Sequence, residues 1–158
     1  MEEEKIELMF KRTKTETLSI TDRKLRDSAI NAAKRAYAPY SRFNVGAAVL
    51  LKDGAIVEGG NQENMAYPSG LCAERVALFA AGASFPEIPV EAIAIVAVKD
   101  GNIQSSIAPC GGCRQVMLET EQRYGQPIRI LLCGRDETIL VSSAKDLLPL
   151  SFAGISIS

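Results

Sequence analysis

The chain contains no histidine. That absence removes Ser-His and Cys-His nucleophilic pairs and the HExxH zinc proteases. It also forces any zinc site to be built from thiolates and carboxylates. An excess of either charge is missing too: 18 Lys and Arg stand against 19 Asp and Glu, for a net charge of −1. The electrostatic footprint of a nucleic-acid binder is therefore lacking. No apolar run approaches the roughly 20 residues needed to cross a bilayer. The opening MEEEKIELMFKRTKTET starts acidic and has no uninterrupted apolar core, unlike a secretory signal. The expectation is a cytoplasmic protein with neither a nucleic acid nor a membrane as partner.

At 158 residues, 47% apolar and 23% charged, the chain suits a single soluble domain. Residues 1–20 are polar and charged without a sustained period, and read as a flexible extension to a domain spanning 21–158. Thr21-Asp22 can cap a helix carrying Leu25, Ala29, Ala32, Ala33 and Ala36 at helical spacing, ended by Ala38-Pro39-Tyr40-Ser41. Val45 to Leu51, a turn at Lys52-Asp53-Gly54 and Ala55 to Gly59 predict a hairpin. The polar stretch GNQENMAYPSG at 60–70 reads as a functional loop. A helix is expected over Leu71 to Ala81 with Gly82 closing it, then an inner strand over Glu91 to Val98. A second core helix is expected over Gly111 to Tyr124, then short strands at Arg129 to Cys133 and Thr138 to Val141, then a short helix over Ser143 to Leu148. This order fits an α/β fold with a central sheet of five strands between helices. No repeat, low-complexity tract or second domain is visible.

The chemistry sits in LCAER at 71–75 and PCGGCRQ at 109–115. Cys72, Cys110 and Cys113 offer zinc three thiolates and leave its fourth position open, which marks a catalytic site, since structural sites are closed. Glu74 then becomes the proton carrier for a zinc-bound water. Residues two apart do not share a helix face, so Glu74 reaches the same metal only if Cys72 lies at or before the helix cap. Three thiolates leave a negative site that opposes ionisation of a bound water. Arg75 and Arg114 are the candidate compensating cations, with Arg75 favoured because it adjoins Glu74. The competing reading of CxxC is a redox pair or half of a structural zinc knuckle. The only remaining thiolate, Cys133, ends the apolar run IRILLC, where a buried, inert cysteine is the commoner case.

Taken together, APYSRFNVGAA at 38–48, GNQENMAYPSGLCAER at 60–75, PCGGCRQV at 109–116 and LLPLSF at 147–152 resemble the small, homotetrameric, three-cysteine cytidine deaminases. The similarity runs over roughly residues 22–153. It implies a three-layer α/β/α sandwich around a mixed five-stranded sheet. It implies one Zn2+ per subunit on Cys72, Cys110 and Cys113, with Glu74 as proton shuttle and Arg75 offsetting the third thiolate. Asn61 and Glu63 match residues that hydrogen-bond the ribose, and Phe43 the aromatic residue that packs on the pyrimidine. Phe152 would touch the base from a neighbouring subunit, and Tyr40 and Tyr67 resemble intersubunit contacts. The implied reaction is hydrolytic deamination of cytidine and deoxycytidine to uridine and deoxyuridine by a zinc-activated water, in pyrimidine salvage. The alternatives are a deaminase of another small aminopyrimidine such as blasticidin, and a non-catalytic zinc protein. Leu150-Ser151 departs from the small pair that the family usually carries before its last phenylalanine.

Overall fold

In the computed structural model, residues 1–152 are described. Three helices cover the two faces of one mixed sheet: α1 (Ile20–Lys34), α2 (Ala73–Ser84) and α3 (Gly111–Tyr124). The strands are β1 (Phe10–Lys14), β2 (Phe43–Leu51), β3 (Ile56–Gly60), β4 (Val90–Lys99), β5 (Asn102–Ile103), β6 (Arg129–Cys133) and β7 (Glu137–Val141). They run in the order β1-β7-β6-β4-β2-β3, with the two-residue β5 paired to β4. Among these strands only β4 and β6 pair in parallel, with α3 in the connection between them. The sheet is mixed and three-layered as expected, but has seven strands among the described residues rather than five. The two extra strands are β5 and β1. The first is too short to carry a period. The second, FKRTK, is dominated by basic residues and almost wholly exposed, so it lacks the apolar alternation of a strand on a core.

Side-chain alternation along the inner strands sorts residues between the two layers. Ala47, Val49, Leu51, Ile93, Ile95, Ile130 and Leu132 pack with Ala73, Ala77, Leu78, Cys113 and Met117, on the α2 and α3 side. Ala48, Leu50, Ala92, Ala94, Val96, Leu131 and Cys133 pack with Leu25 and Ala29, on the α1 side. Cys133 therefore lies across the sheet from Cys113. Burial pushes its thiol up to about 12, in keeping with an inert core cysteine.

Several local expectations shift. The α1 cap is Ser19, whose Oγ accepts from the Asp22 N–H at 3.1 Å, not Thr21-Asp22. Helix α2 continues through Gly82 to Ser84, and the last expected helix is a 3-10 turn over Ala144–Leu147. Helix α3 has its expected bounds, and Gly125 follows it in the left-handed region at φ 62°. Residues 10–14, within the stretch read as an extension, form β1 and pair antiparallel with β7, Phe10 opposite Val141 and Lys14 opposite Glu137. Residues 153–158 of the expected domain lie outside the described residues.

Candidate functional site

Two helix N-termini converge on the cysteines. Cys72 caps α2 with extended backbone (φ −68°, ψ 152°) and Cys110 caps α3 in the same way (φ −67°, ψ 166°). Cys113 lies in the first turn of α3 and is fully buried. The unpaired N–H groups and positive dipole ends of both helices thus face sulfur, which favours thiolate. Because Cys72 is the cap and not a helical residue, Glu74 can face the same point two residues later. The geometric condition set by the CAE spacing is met.

The Sγ atoms of Cys72 and Cys110 are 3.8 Å apart, and those of Cys110 and Cys113 are 3.4 Å apart. All three ligand atoms fall within 4.8 Å of one another. Tetrahedral zinc with Zn–S bonds of about 2.3 Å sets its sulfurs about 3.8 Å apart, so the cluster fits zinc without rearrangement. Among the described residues no fourth Cys, His, Asp or Glu joins this group. Cys133, on the far face of the sheet, cannot close it. The donor set is that of an open site.

Charge is unevenly held by the thiols when no metal is bound. Cys72 is lowered to about 5, chiefly by the hydrogen bond with Cys113 and also by Arg75. Cys113 is pushed up for the matching reason, since it keeps the proton that Cys72 accepts, and burial adds to this. Arg75 Nη2 donates to Cys72 Sγ at 3.6 Å. Arg114 is committed elsewhere: its Nε donates to the Pro109 carbonyl at 2.9 Å and its Nη1 to the Leu147 carbonyl at 2.8 Å. Of the two arginines, Arg75 is the one whose guanidinium meets sulfur.

A cavity of about 690 Å³ opens over this cluster. Cys72, Glu74, Arg75 and Cys110 line it together with Val45, Leu71 and Ile107. Glu74 is only 4% exposed, and burial raises its carboxyl above the usual range. That places a carboxyl able to hold a proton beside an open metal position.

Asn61, Glu63, Tyr40 and Tyr67 also line the cavity, with both tyrosines exposed. Asn61 Oδ1 accepts from the Val45 N–H at 2.8 Å, and its Nδ2 donates to the Phe43 carbonyl at 3.0 Å. Glu63 accepts from the Tyr40 N–H at 2.9 Å, the Ser41 N–H at 3.2 Å and the Ser41 hydroxyl. The Ser41 hydroxyl is the main reason its carboxyl lies below the usual range. In the sequence Ser41 reads only as part of a helix stop; its hydrogen bonds to a loop 22 residues away leave no local pattern. Phe43 and Phe152 do not line the cavity of their own chain. Phe152 is 82% exposed, with its carbonyl accepting from Gln115 Nε2 at 3.1 Å. The structure thus brings together the three cysteines, Glu74, Arg75, Asn61, Glu63, Tyr40 and Tyr67, and leaves both phenylalanines outside.

Comparison with known proteins agrees with this geometry. The profile of the family described as cytidine and deoxycytidylate deaminase zinc-binding region matches residues 19–124. The chain is 50% identical to a cytidine deaminase of Halalkalibacterium halodurans over 58% of this chain and 65% of that protein. It is 43% identical to one of Mycobacterium tuberculosis over 66% and 77%. The first of these alignments thus spans a little under two thirds of the relative's length. Among solved structures, the cytidine deaminase from Burkholderia pseudomallei superposes with a TM-score of 0.70 at 42% identity, covering 82% of this chain and 98% of that one. The Mycobacterium tuberculosis enzyme gives 0.67 at 36% identity, covering 85% and 99%. With its cysteine cluster, its buried glutamate and this match over most of its domain, the chain belongs to the cytidine and deoxycytidylate deaminase zinc-binding family.

Proposed function

We propose that the protein hydrolyses the exocyclic amino group of cytidine and deoxycytidine, giving uridine or deoxyuridine and ammonia. The assignment rests on a buried Glu74 lining the same cavity as Cys72 and Cys110, beside a three-sulfur zinc site with no fourth protein ligand among the described residues. Cys72, Cys110 and Cys113 would hold one Zn2+ per chain. Zinc there supplies Lewis acidity that draws the pKa of a water down toward neutrality. Glu74 takes one proton of the attacking water and gives it to the pyrimidine N3 as the hydroxyl adds to C4. It then moves the proton of the new C4 hydroxyl to the amino group, which leaves as ammonia as the C4 carbonyl forms. Its raised affinity for protons, caused by burial, suits a residue that takes up and returns a proton. Arg75 offsets the charge of the third thiolate through Cys72.

Asn61 and Glu63 are the sugar contacts in this reading. Each is already held by backbone groups of the segment 40–45, which fixes its orientation before a nucleoside arrives. Phe43 is the aromatic residue assigned to the pyrimidine by the family resemblance, and in the single chain it stands outside the cavity, joined to it through the Asn61 hydrogen bond to its carbonyl. Phe152 reaches the base of a neighbouring subunit, in a homotetramer that also uses Tyr40 and Tyr67. The exposure of Phe152, Tyr67 and Tyr40, at 82%, 84% and 52%, supports an assembly that covers them. A cytoplasmic role in pyrimidine salvage completes the proposal. Among the described residues no helix is long and apolar enough to cross a membrane.

Ammonia release from cytidine, deoxycytidine, cytidine monophosphate and blasticidin, measured beside zinc content, tests the assignment. Turnover of the two nucleosides with one zinc per chain is expected. Glu74→Gln should lower kcat by roughly 10²–10⁴-fold with zinc retained. Near-normal turnover by that variant would remove Glu74 from the mechanism.

A further inference from the structure

The sheet ends at β1, and among the described residues no strand lies along its outer edge. The segment that leads into it falls outside the family match, which begins at residue 19. Alternate residues here are Glu2, Glu4, Ile6, Leu8, Phe10, Arg12 and Lys14. In an extended chain these share one face: two acids, three apolar side chains, two bases. Ile6, Leu8 and Phe10 are 58%, 47% and 52% exposed, so the apolar centre of this face is uncovered.

We propose that residues 2–14 pair antiparallel with the same segment of a second copy of this chain, across a two-fold axis at Leu8. In that register Glu2 stands opposite Lys14, Glu4 opposite Arg12, Ile6 opposite Phe10, and Leu8 opposite itself. Every cross-strand pair on the face is then ionic of opposite sign or apolar. An edge strand with free N–H and C=O groups supplies the template, and a two-fold axis makes the contact close on itself. Direction follows from charge order. Glu2, Glu3 and Glu4 open the segment, and Lys11, Arg12 and Lys14 end it. Parallel pairing sets like charge on like, whereas antiparallel pairing sets acid on base. On the other face Lys5 stands opposite Lys11, but Glu3 and Glu7 are the diagonal neighbours of Lys11 and offset that contact. Moving the axis to Met9 would put Ile6 against Arg12 and break the apolar pairing. Arg12 already meets Glu137 of its own chain at 2.9 Å, so Glu4 of the second copy extends an existing ion pair.

A cysteine introduced on the axis reads this register directly. Opposed residues of antiparallel strands have Cα atoms about 4.5–5.5 Å apart, within disulfide reach. Two copies of Ile6 would be offset by about 13 Å along the strands, and two of Met9 by about 7 Å along with a further 5 Å across, both out of reach. L8C, I6C and M9C are each oxidised in dilute solution with zinc present, checked for native circular dichroism, and mapped by peptide mass spectrometry. The expected result for L8C is loss of the single-chain band, through a disulfide that joins the introduced thiols of two copies. The band is kept in I6C and M9C. Adding E2K and E4K to L8C should restore the single-chain band. Failure of L8C to form that disulfide, equal cross-linking by all three variants, or preferential cross-linking by M9C each overturns the proposal.

Discussion

Arg75 and Arg114 each follow a cysteine motif directly, yet their guanidinium groups do different work. Arg75 meets Cys72 Sγ, while Arg114 bonds the carbonyls of Pro109 and Leu147. Arg75→Gln keeps a polar side chain but removes the cation from the thiolates. Its kcat should fall about 10–100-fold, the usual cost of losing a group that tunes a metal's ligands. Steady-state kinetics read beside zinc content will show this. Cys133 gives a separate test at high pH. Its thiol is raised from 9.0 to about 12 by burial, so the folded state resists ionisation that the unfolded chain undergoes. Stability is unaffected below about pH 9 and falls above it by about 1.4 kcal/mol per pH unit. Cys133→Ala should flatten that fall in urea melts between about pH 9 and 10.5. At this scale the three clustered cysteines, Glu74 and Arg75 are legible in the sequence because each sits within a short motif whose charge has to balance. The hydrogen bonds of Asn61 and Glu63 are not, because their partners lie 16 to 23 residues away and depend on how the loop returns.

Elements are joined mainly through close contacts that a composition cannot display. A Cβ on Gly46 in β2 would collide with the Ala29 carbonyl oxygen and the Ala33 nitrogen, so α1 lies directly on the strand and only glycine fits there. At the C-terminal end of α3, Glu121 accepts from Ile128 N at 2.7 Å, Ala144 N at 2.6 Å and the Ser143 hydroxyl at 2.9 Å. This one buried carboxylate ties α3 to the approach to β6 and to the 3-10 turn. Glu121→Ala orphans those donors and should cost roughly 3 kcal/mol or more at about 1–3 each. A fall of Tm by roughly 6–12 °C is expected by calorimetry. The inner strands and α3 are readable because apolar runs and a Gly125 stop are local signals. Strand β1 is not, because its partner β7 lies near the other end of the chain and its own side chains stay exposed.

For the whole molecule, the metal site is also the joint between two helices of one layer. Cys72 caps α2, and Cys110 and Cys113 open α3, so a zinc ion across them links segments 38 residues apart in sequence. Both helices pack on the same face of the sheet, around Ala77, Leu78 and Met117. The rest of that layer is held by apolar contact, which does not depend on metal. The fold should therefore survive chelation but lose stability, unlike small zinc domains that unfold outright. With free zinc about 1,000-fold above its Kd, binding to the folded state alone adds about 4 kcal/mol. For a chain of this size that corresponds to a Tm shift of roughly 8–16 °C. Stripping zinc with a chelator should lower Tm by this amount and abolish ammonia release, and readdition should recover both. The Cys72→Ser, Cys110→Ser, Cys113→Ser triple variant should melt like the stripped protein and no longer respond to zinc. A variant that still gained stability from zinc would place the ion elsewhere, and with it the open coordination position beside Glu74.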